Sequence, residues 1–283
     1  MMSGTLYICG TPIGNLGDIT LRVLEILKSV DMVAAEDTRN TIKLLNHFDI
    51  KVPLISYHEH NKIQKGNEIL KHLENGKNIA LVSDAGMPVI SDPGEDLVRL
   101  CIENNIEIVT ACGPTAFTTA LVSSGITGHR FAFEGFLSVT RKQRMSHLNE
   151  IKNDTRTLIF YEAPHKLMAT LSDLLDTLGN RKIAVCRELT KKFEEILRCD
   201  IASAIAHFEK TPPKGEFVLI IQGADREELL KSEKESLPTP QELLKTMSSD
   251  TLYGKELVKA VATALNMPKR EVYEIYLKME DKQ

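Results

Sequence analysis

The sequence has no tryptophan, and aromatic residues make up only 5% of its 283 positions. Cysteine is also scarce. Cys9, Cys101, Cys112, Cys186 and Cys199 form no C-x-x-C pair and are odd in number, which argues against a disulfide framework and a structural zinc site. No apolar run approaches the ~18–20 residues of a membrane helix. The opening MMSGTLYICGTP has no basic stretch ahead of its apolar run, so no secretory leader is expected. Hydrophobic residues at 42% and charged residues at 26% are ordinary globular usage and exclude a disordered or collagen-like chain. A soluble, cytoplasmic protein with one large or two medium domains is the expectation. The net charge of −4 speaks against indiscriminate nucleic-acid binding. Residues 139–147 (VTRKQRMSH) nevertheless carry three cations and no acid, which suits a specific polyanion site.

Along the first 125 residues, strand-like and helix-like segments alternate. Leu6–Cys9, Met32–Ala35, Val52–Ser56, Ile79–Val82 and Ile106–Val109 read as strands. Between them, apolar residues recur at helical spacing from Leu21 to Val30, Thr41 to Phe48, Ile63 to Leu73 and Leu97 to Ile102, and again from Ala116 to Val122. Repeated units of this length predict a mostly parallel sheet covered on both faces, with ligands bound beyond the carboxyl ends of its strands. After a hinge at Gly125–Arg130, residues 126–225 predict a second α/β domain. Its strands are Arg130–Leu137, Thr157–Tyr161, Lys182–Cys186, Phe193–Arg198 and Glu216–Ile221, and its helices Lys142–Ile151 and His165–Leu175. Consecutive strands with no helix between them imply antiparallel pairing and a mixed sheet. Residues 226–240 read as a charged, proline-broken linker. Two short helices, Leu257–Leu265 and Arg270–Met279, follow around Asn266-Met267-Pro268 and resemble a helix-turn-helix.

Chemistry-bearing residues concentrate where strands end. Gly10–Asp18 is a glycine-bearing strand-to-helix turn, yet it matches neither G-x-G-x-x-G nor the P-loop, so a nicotinamide site using Glu36-Asp37 as its ribose acid is disfavoured. Leu81–Gly94 places two Asp, two Gly and two Pro in residues 84–94, a composition that exposes main-chain groups to a ligand. Cys112–Ala116, Phe160–His165 and Arg187–Lys191 also follow strands, and loops from both halves would converge on one cleft. His58 and His60 flank Glu59 without H-E-x-x-H spacing, so a loop pair is expected there rather than a metal site. Glu36-Asp37-Thr38-Arg39 fits either a capped helix start or a carboxylate–guanidinium cluster able to orient a hydroxyl or phosphate.

The runs TPIGNLGDITLR, EDTRNT, SYHEHN, LVSDAGMPVISDPG, FYEAPH and RELTKKFEE occur in this order between residues 11 and 195. In these runs the sequence resembles the small-subunit (16S) ribosomal RNA cytidine 2′-O-methyltransferase branch of the tetrapyrrole-methylase superfamily. It departs at Met87, where the family has Thr, at Cys112–Thr115 and at Ser138–Arg144. The resemblance implies two α/β domains with a cofactor cleft between them, a small C-terminal helical module (226–283), S-adenosylmethionine as cofactor and a homodimer. Cofactor contacts then fall on Pro12, on Asp84, Ala85, Gly86, Met87 and Ile90, on Thr115 and Ala116, and on Tyr161, Glu162 and Leu189 of the second domain. The implied partner is 16S rRNA or the small ribosomal subunit, met by Arg141, Lys142 and Arg144 and by Lys269 and Arg270 in the tail.

Moving a methyl group onto a ribose oxygen requires positioning, worth ~7–11 kcal/mol, and removal of a weakly acidic proton. Glu36, Asp37 and Arg39 are the expected positioning and base residues, with Glu162 and Lys191 in reserve. Two other readings compete: a relative acting on a small molecule such as a tetrapyrrole, and a non-enzymatic RNA-binding module led by the tail.

Overall fold

The computed structural model describes residues 3–230, 238–249 and 252–280. The first sheet holds β1 (Thr5–Cys9), β2 (Met32–Ala35), β3 (Leu54–Ser56), β4 (Ile79–Val82) and β5 (Glu107–Ala111) in the order β3-β2-β4-β1-β5. Every pairing in it is parallel. Such strands are buried on both faces, so they read as short continuous apolar runs rather than alternating ones. The two faces divide the strand residues between them. Leu6, Ile8, Ile79 and Leu81 meet Ile69, Leu73 and Leu97 of α3 (Lys62–Glu74) and α4 (Glu95–Glu103). On the other face, Cys9, Val33, Ala80 and Val82 meet Val23, Leu27 and Leu45 of α1 (Leu21–Ser29) and α2 (Thr38–His47).

The second sheet holds β6 (Phe131–Phe136), β7 (Thr157–Glu162), β8 (Lys182–Arg187), β9 (Glu195–Asp200) and β10 (Phe217–Ile221) in the order β6-β7-β10-β8-β9. Only β6 and β7 run parallel; the other neighbours are antiparallel, so the sheet is mixed. One face packs on α7 (Leu167–Leu178) and on α8 (Ile201–Lys210), a helix beyond those expected from sequence. Asp200 ends β9 and caps α8 in the same step, accepting the Ser203 amide at 2.8 Å. The opposite face is covered by α5 (Ala116–Ser124), whose Ala120 and Leu121 pack with Ile159, Ala184, Val218 and Ile220. The last helix of the first βα series thus lies on the second sheet, and residues Met1–Gly223 form one compact unit.

Residues Ala224–Gln283 form the other unit. Among its described residues, the helices Pro240–Met247, Gly254–Ala264 and Lys269–Glu280 pack around Leu244, Leu257, Val261 and Val272. The first of them adds to the two helices expected in the tail and starts where the expected linker ends: Thr239 and Glu242 make a reciprocal capping box, with Pro240 at the first helical position. Within that linker, residues 226–230 are themselves helical, which corrects its reading there. Residues 231–237 of the expected linker lie outside the described residues.

The cation run at 139–147 is largely structural. Arg144, on α6 (Arg141–Ile151), is 6% exposed; its guanidinium is 2.7 Å from Asp173 on α7 and donates to the carbonyls of Ser138 and Val139. Arg144 is therefore a strut between two helices and not an RNA contact. Removing one partner of a buried pair strands the other charge. Asp173→Ala is expected to cost about 3–5 kcal/mol in a denaturant melt, while an Arg144→Met/Asp173→Leu double variant should lose much less.

Candidate active site

Backbone contacts draw three strand-end loops together. After β1, the Thr11 amide donates to the Gly86 carbonyl at 2.9 Å, and the Gly86 amide returns the bond to the Thr11 carbonyl at 3.1 Å. The first and third loops meet at two glycines. A Cβ on Gly10 would lie 2.6 Å from the Gly113 Cα, and one on Gly113 would lie 2.7 Å from the Gly10 Cα. Only residues without side chains permit this approach. In the second loop Val89 (φ 77°) and Ser91 (φ 63°) adopt left-handed conformations that are costly for a side-chain-bearing residue, the β-branched Val89 above all. Glu188 (φ 49°) and Thr190 (φ 64°) repeat this strain in the loop after β8.

These loops enclose a cavity of about 570 Å³, within the ~300–1,000 Å³ usual for small-molecule sites. Ile13, Ala85, Gly86, Met87, Ile90, Thr115 and Ala116 line it from the first half of the unit. From the second sheet come Phe136, Tyr161, Glu162 and the Glu216–Val218 stretch. The Tyr161 hydroxyl accepts from the Phe117 amide at 3.3 Å, tying that wall to the start of α5. Nine of the eleven expected cofactor positions thus share one cavity. Pro12 lines a neighbouring 240 Å³ pocket that has Asp84 in common with the cavity, and Leu189 a 40 Å³ recess that shares Ile13, Ala116 and Val218.

On the side of the first sheet the rim carries three carboxylates, Glu36, Asp84 and Asp92, while Glu162 and Glu216 line the cavity from the second. Burial, and then the Asp84 charge, raise the Glu36 pKa. Burial raises that of Asp92 to about 6; the Glu36 charge adds to the rise and a hydrogen bond from Ser83 opposes it. Asp92 was not among the residues singled out from sequence. Asp84 is held by the Asp37 amide at 3.2 Å and the Asn40 side-chain amide at 3.0 Å.

The other expected catalytic residues have structural duties. Asp37 caps α2 through the Arg39 amide and pairs with the Arg39 guanidinium at 2.6 Å; these bonds hold its pKa down to about 2, too low for a base at neutral pH. Arg39 is spread over the surface by that pairing, with 85% of its side chain exposed. Glu162 is 2% exposed and accepts from Thr170 at 2.6 Å, the Ala163 amide at 2.8 Å and Lys166 at 3.0 Å, so three of its about four acceptor sites are already taken. Burial pulls the Lys191 pKa down, but bonds to Glu216 (2.8 Å) and Glu188 (3.0 Å) outweigh it and leave the pKa raised, so this amine stays charged. His58 and His60 sit with ring centroids 6.0 Å apart, and the Asn61 amide contacts His58 Nε2 at 3.2 Å. Arg141 is exposed but pairs with Asp173 and Asp176. Lys142, Lys269 and Arg270 are exposed, Arg270 pairing with Glu274.

Because Asp92 takes up a proton more readily in the folded chain than its ordinary pKa of ~3.9 allows, folding binds protons across that interval. Its contribution to stability is complete below pH ~4 and is lost as pH rises through about 6. Asp92→Asn is expected to stabilise the chain by about 1–2 kcal/mol at pH 8, discounted for partial solvent exposure, and by nothing at pH 4. Thermal melts at the two pH values check this.

Comparison with known proteins gives this site a lineage. The family model for tetrapyrrole (corrin/porphyrin) methylases matches residues 5–205. The chain is 47% identical over 278 residues to ribosomal RNA small subunit methyltransferase I of Synechocystis, covering 98% of this chain and 99% of that one. It is 46% identical to the Bacillus subtilis protein of the same name, over 96% and 94% of the two chains. Among solved structures, the methyltransferase CobJ superposes with a TM-score of 0.62 at 17% identity, covering 78% of this chain and 95% of that one. Uroporphyrin-III C-methyltransferase from Thermus thermophilus, complexed with S-adenyl homocysteine, gives 0.56 at 15% identity over 77% and 97%. Two sheets joined through α5, strand-end loops around one cavity and this similarity along nearly the whole sequence agree: the chain belongs to the ribosomal RNA small subunit methyltransferase I branch of the tetrapyrrole methylase family.

Proposed function

We propose that this chain transfers a methyl group from S-adenosylmethionine to the 2′-oxygen of a cytidine in small-subunit ribosomal RNA. The observation that carries the reading is the placement of Asp92 and Glu36, two carboxylates with raised pKa values, on the rim of a cavity of cofactor size. The residues present fit the cofactor. Ala85, Gly86 and Ala116 leave main-chain groups approachable, Met87, Ile90 and Tyr161 offer apolar surface to a purine and a thioether, and the three rim carboxylates suit a cationic sulfur. When bound, S-adenosylmethionine supplies a methyl group already activated on a sulfonium.

The chain's own task is to hold the ribose and take its proton. A base is most effective when its pKa lies near the working pH, which favours Asp92 over Asp37. Asp92, assisted by Glu36, accepts the 2′-hydroxyl proton on a carboxylate oxygen while the sugar oxygen gains its methyl group. The Asp37–Arg39 pair fixes the start of α2 and, through the Asp37 amide, the Asp84 carboxylate. Asp37 and Arg39 thereby position the site without touching the proton.

RNA contacts are assigned to Lys142 and, in the tail unit, to Lys269 and Arg270, all exposed. A homodimer is supported by Val122 of α5 and Phe131 of the edge strand β6, which are 84% and 40% exposed; the Phe117 ring links the two elements, 6.2 Å from that of Phe131. We place this activity in the cytoplasm. A small-molecule methylase remains the second reading on fold alone, but the full-length relatives carry the rRNA name.

Incubation with isotopically labelled S-adenosylmethionine and unmodified small subunits, followed by mapping of the mark, tests the activity. The mark is expected on a cytidine 2′-oxygen; turnover of a tetrapyrrole with none on RNA would contradict it. Asp92→Asn should lower turnover by about 10²–10⁴-fold, the usual worth of a general base, while calorimetry shows undiminished binding of S-adenosylhomocysteine. The wild-type rate should rise with pH through about 6. An unchanged rate in Asp92→Asn would remove this carboxylate from the chemistry.

A further inference from the structure

The 240 Å³ pocket beside the main cavity has a wall and an edge of different character. Pro12, Leu16 and Leu44 supply apolar surface, while Asn40, Lys43 and Asp84 supply polar groups. The polar groups form a chain: Lys43 Nζ donates to Asn40 Oδ1 at 3.4 Å, and Asn40 Nδ2 donates to Asp84 Oδ2 at 3.0 Å. Asp84 lines both this pocket and the cofactor-sized cavity, so an occupant of the pocket is one carboxylate away from the rim that holds Glu36 and Asp92. With less room than the ~300–1,000 Å³ of ordinary ligand pockets, the space suits a nucleobase rather than a whole cofactor.

We infer that this pocket receives the target pyrimidine base, with Asp84, Asn40 and Lys43 selecting cytosine over uracil; the inference rests on the RNA methyltransferase reading above. A base worked on by an enzyme is taken out of its stack and read by hydrogen bonds at its edge while apolar side chains cover its faces. Leu16, Leu44 and Pro12 provide the cover. The edge matches cytosine: its exocyclic amine donates to a carboxylate, as Asp84 offers, and its ring nitrogen and carbonyl accept from the Asn40 amide and the Lys43 ammonium. Uracil would turn a carbonyl toward the Asp84 carboxylate, two acceptors with no proton between them. With the base seated here, its own ribose lies at the Asp84 wall, beside the carboxylates that take the proton.

Two variants of the full chain test this. Lys43→Ala removes an edge donor at an exposed residue, and Leu44→Trp fills the pocket from α2. Each is expected to lower kcat/KM on small-subunit RNA by about 10–100-fold, the range of one good base contact, with S-adenosylhomocysteine affinity within about twofold of wild type. Small subunits carrying uridine at the mapped position should be methylated at least about tenfold more slowly by the wild-type chain, and Lys43→Ala should narrow that ratio. Wild-type kcat/KM in both variants, or equal rates on cytidine and uridine substrates, would overturn the pocket assignment alone. A wild-type chain that binds the cofactor analogue and leaves RNA unmarked would instead overturn the RNA reading, and the pocket with it.

Discussion

The site depends on how closely the backbones of the first and third strand-end loops approach each other. Gly10 and Gly113 stand where a Cβ on either would enter the other's main chain, and the Thr11–Gly86 bond pair fastens the second loop to the first. These contacts are main chain to main chain, so they position the loops without relying on flexible side chains. They also account for the left-handed conformations at Val89 and Ser91: once the start of the second loop is fastened, the remaining residues must carry Asp92 back to the rim. Strain of this kind persists where surrounding structure over-determines it, and here it surrounds the cavity.

A second constraint is the crossing of α5 from one sheet to the other. Its N-terminus lies at the cavity with Thr115 and Ala116, while Ala120 and Leu121 are buried against the second sheet. The helix therefore couples the two walls, and the Tyr161 hydroxyl bond to the Phe117 amide reinforces the coupling at the cavity wall. A cavity built this way draws residues from distant parts of the sequence without needing a loop long enough to reach across.

Much of this was legible in the sequence, for physical reasons. Met32–Ala35 and Ile79–Val82 were readable to the residue because strands buried on both faces are unbroken apolar runs between turn residues. Helix α8 was not, because Asp200 joins strand to helix with no turn residue between them to separate the two periods. The helix at Pro240–Met247 was hidden by its own start signal, a proline that breaks a helix interior but suits its first position. In the site, glycine and proline marked the loops. The roles of the charges did not show, because they depend on partners far away in sequence: Asp92 on Glu36 and Arg144 on Asp173. A cation run looks alike in sequence whether its side chains face RNA or a buried aspartate.

The most direct test of the account is a calorimetric titration of S-adenosylhomocysteine into the wild-type chain and into a folded Gly113→Ala variant. The close loop approach predicts saturable binding in the first and at least about tenfold weaker binding in the second, since a Cβ there would push the Gly10 backbone away. Absence of binding to the wild-type chain, or equal affinity in both, would contradict it.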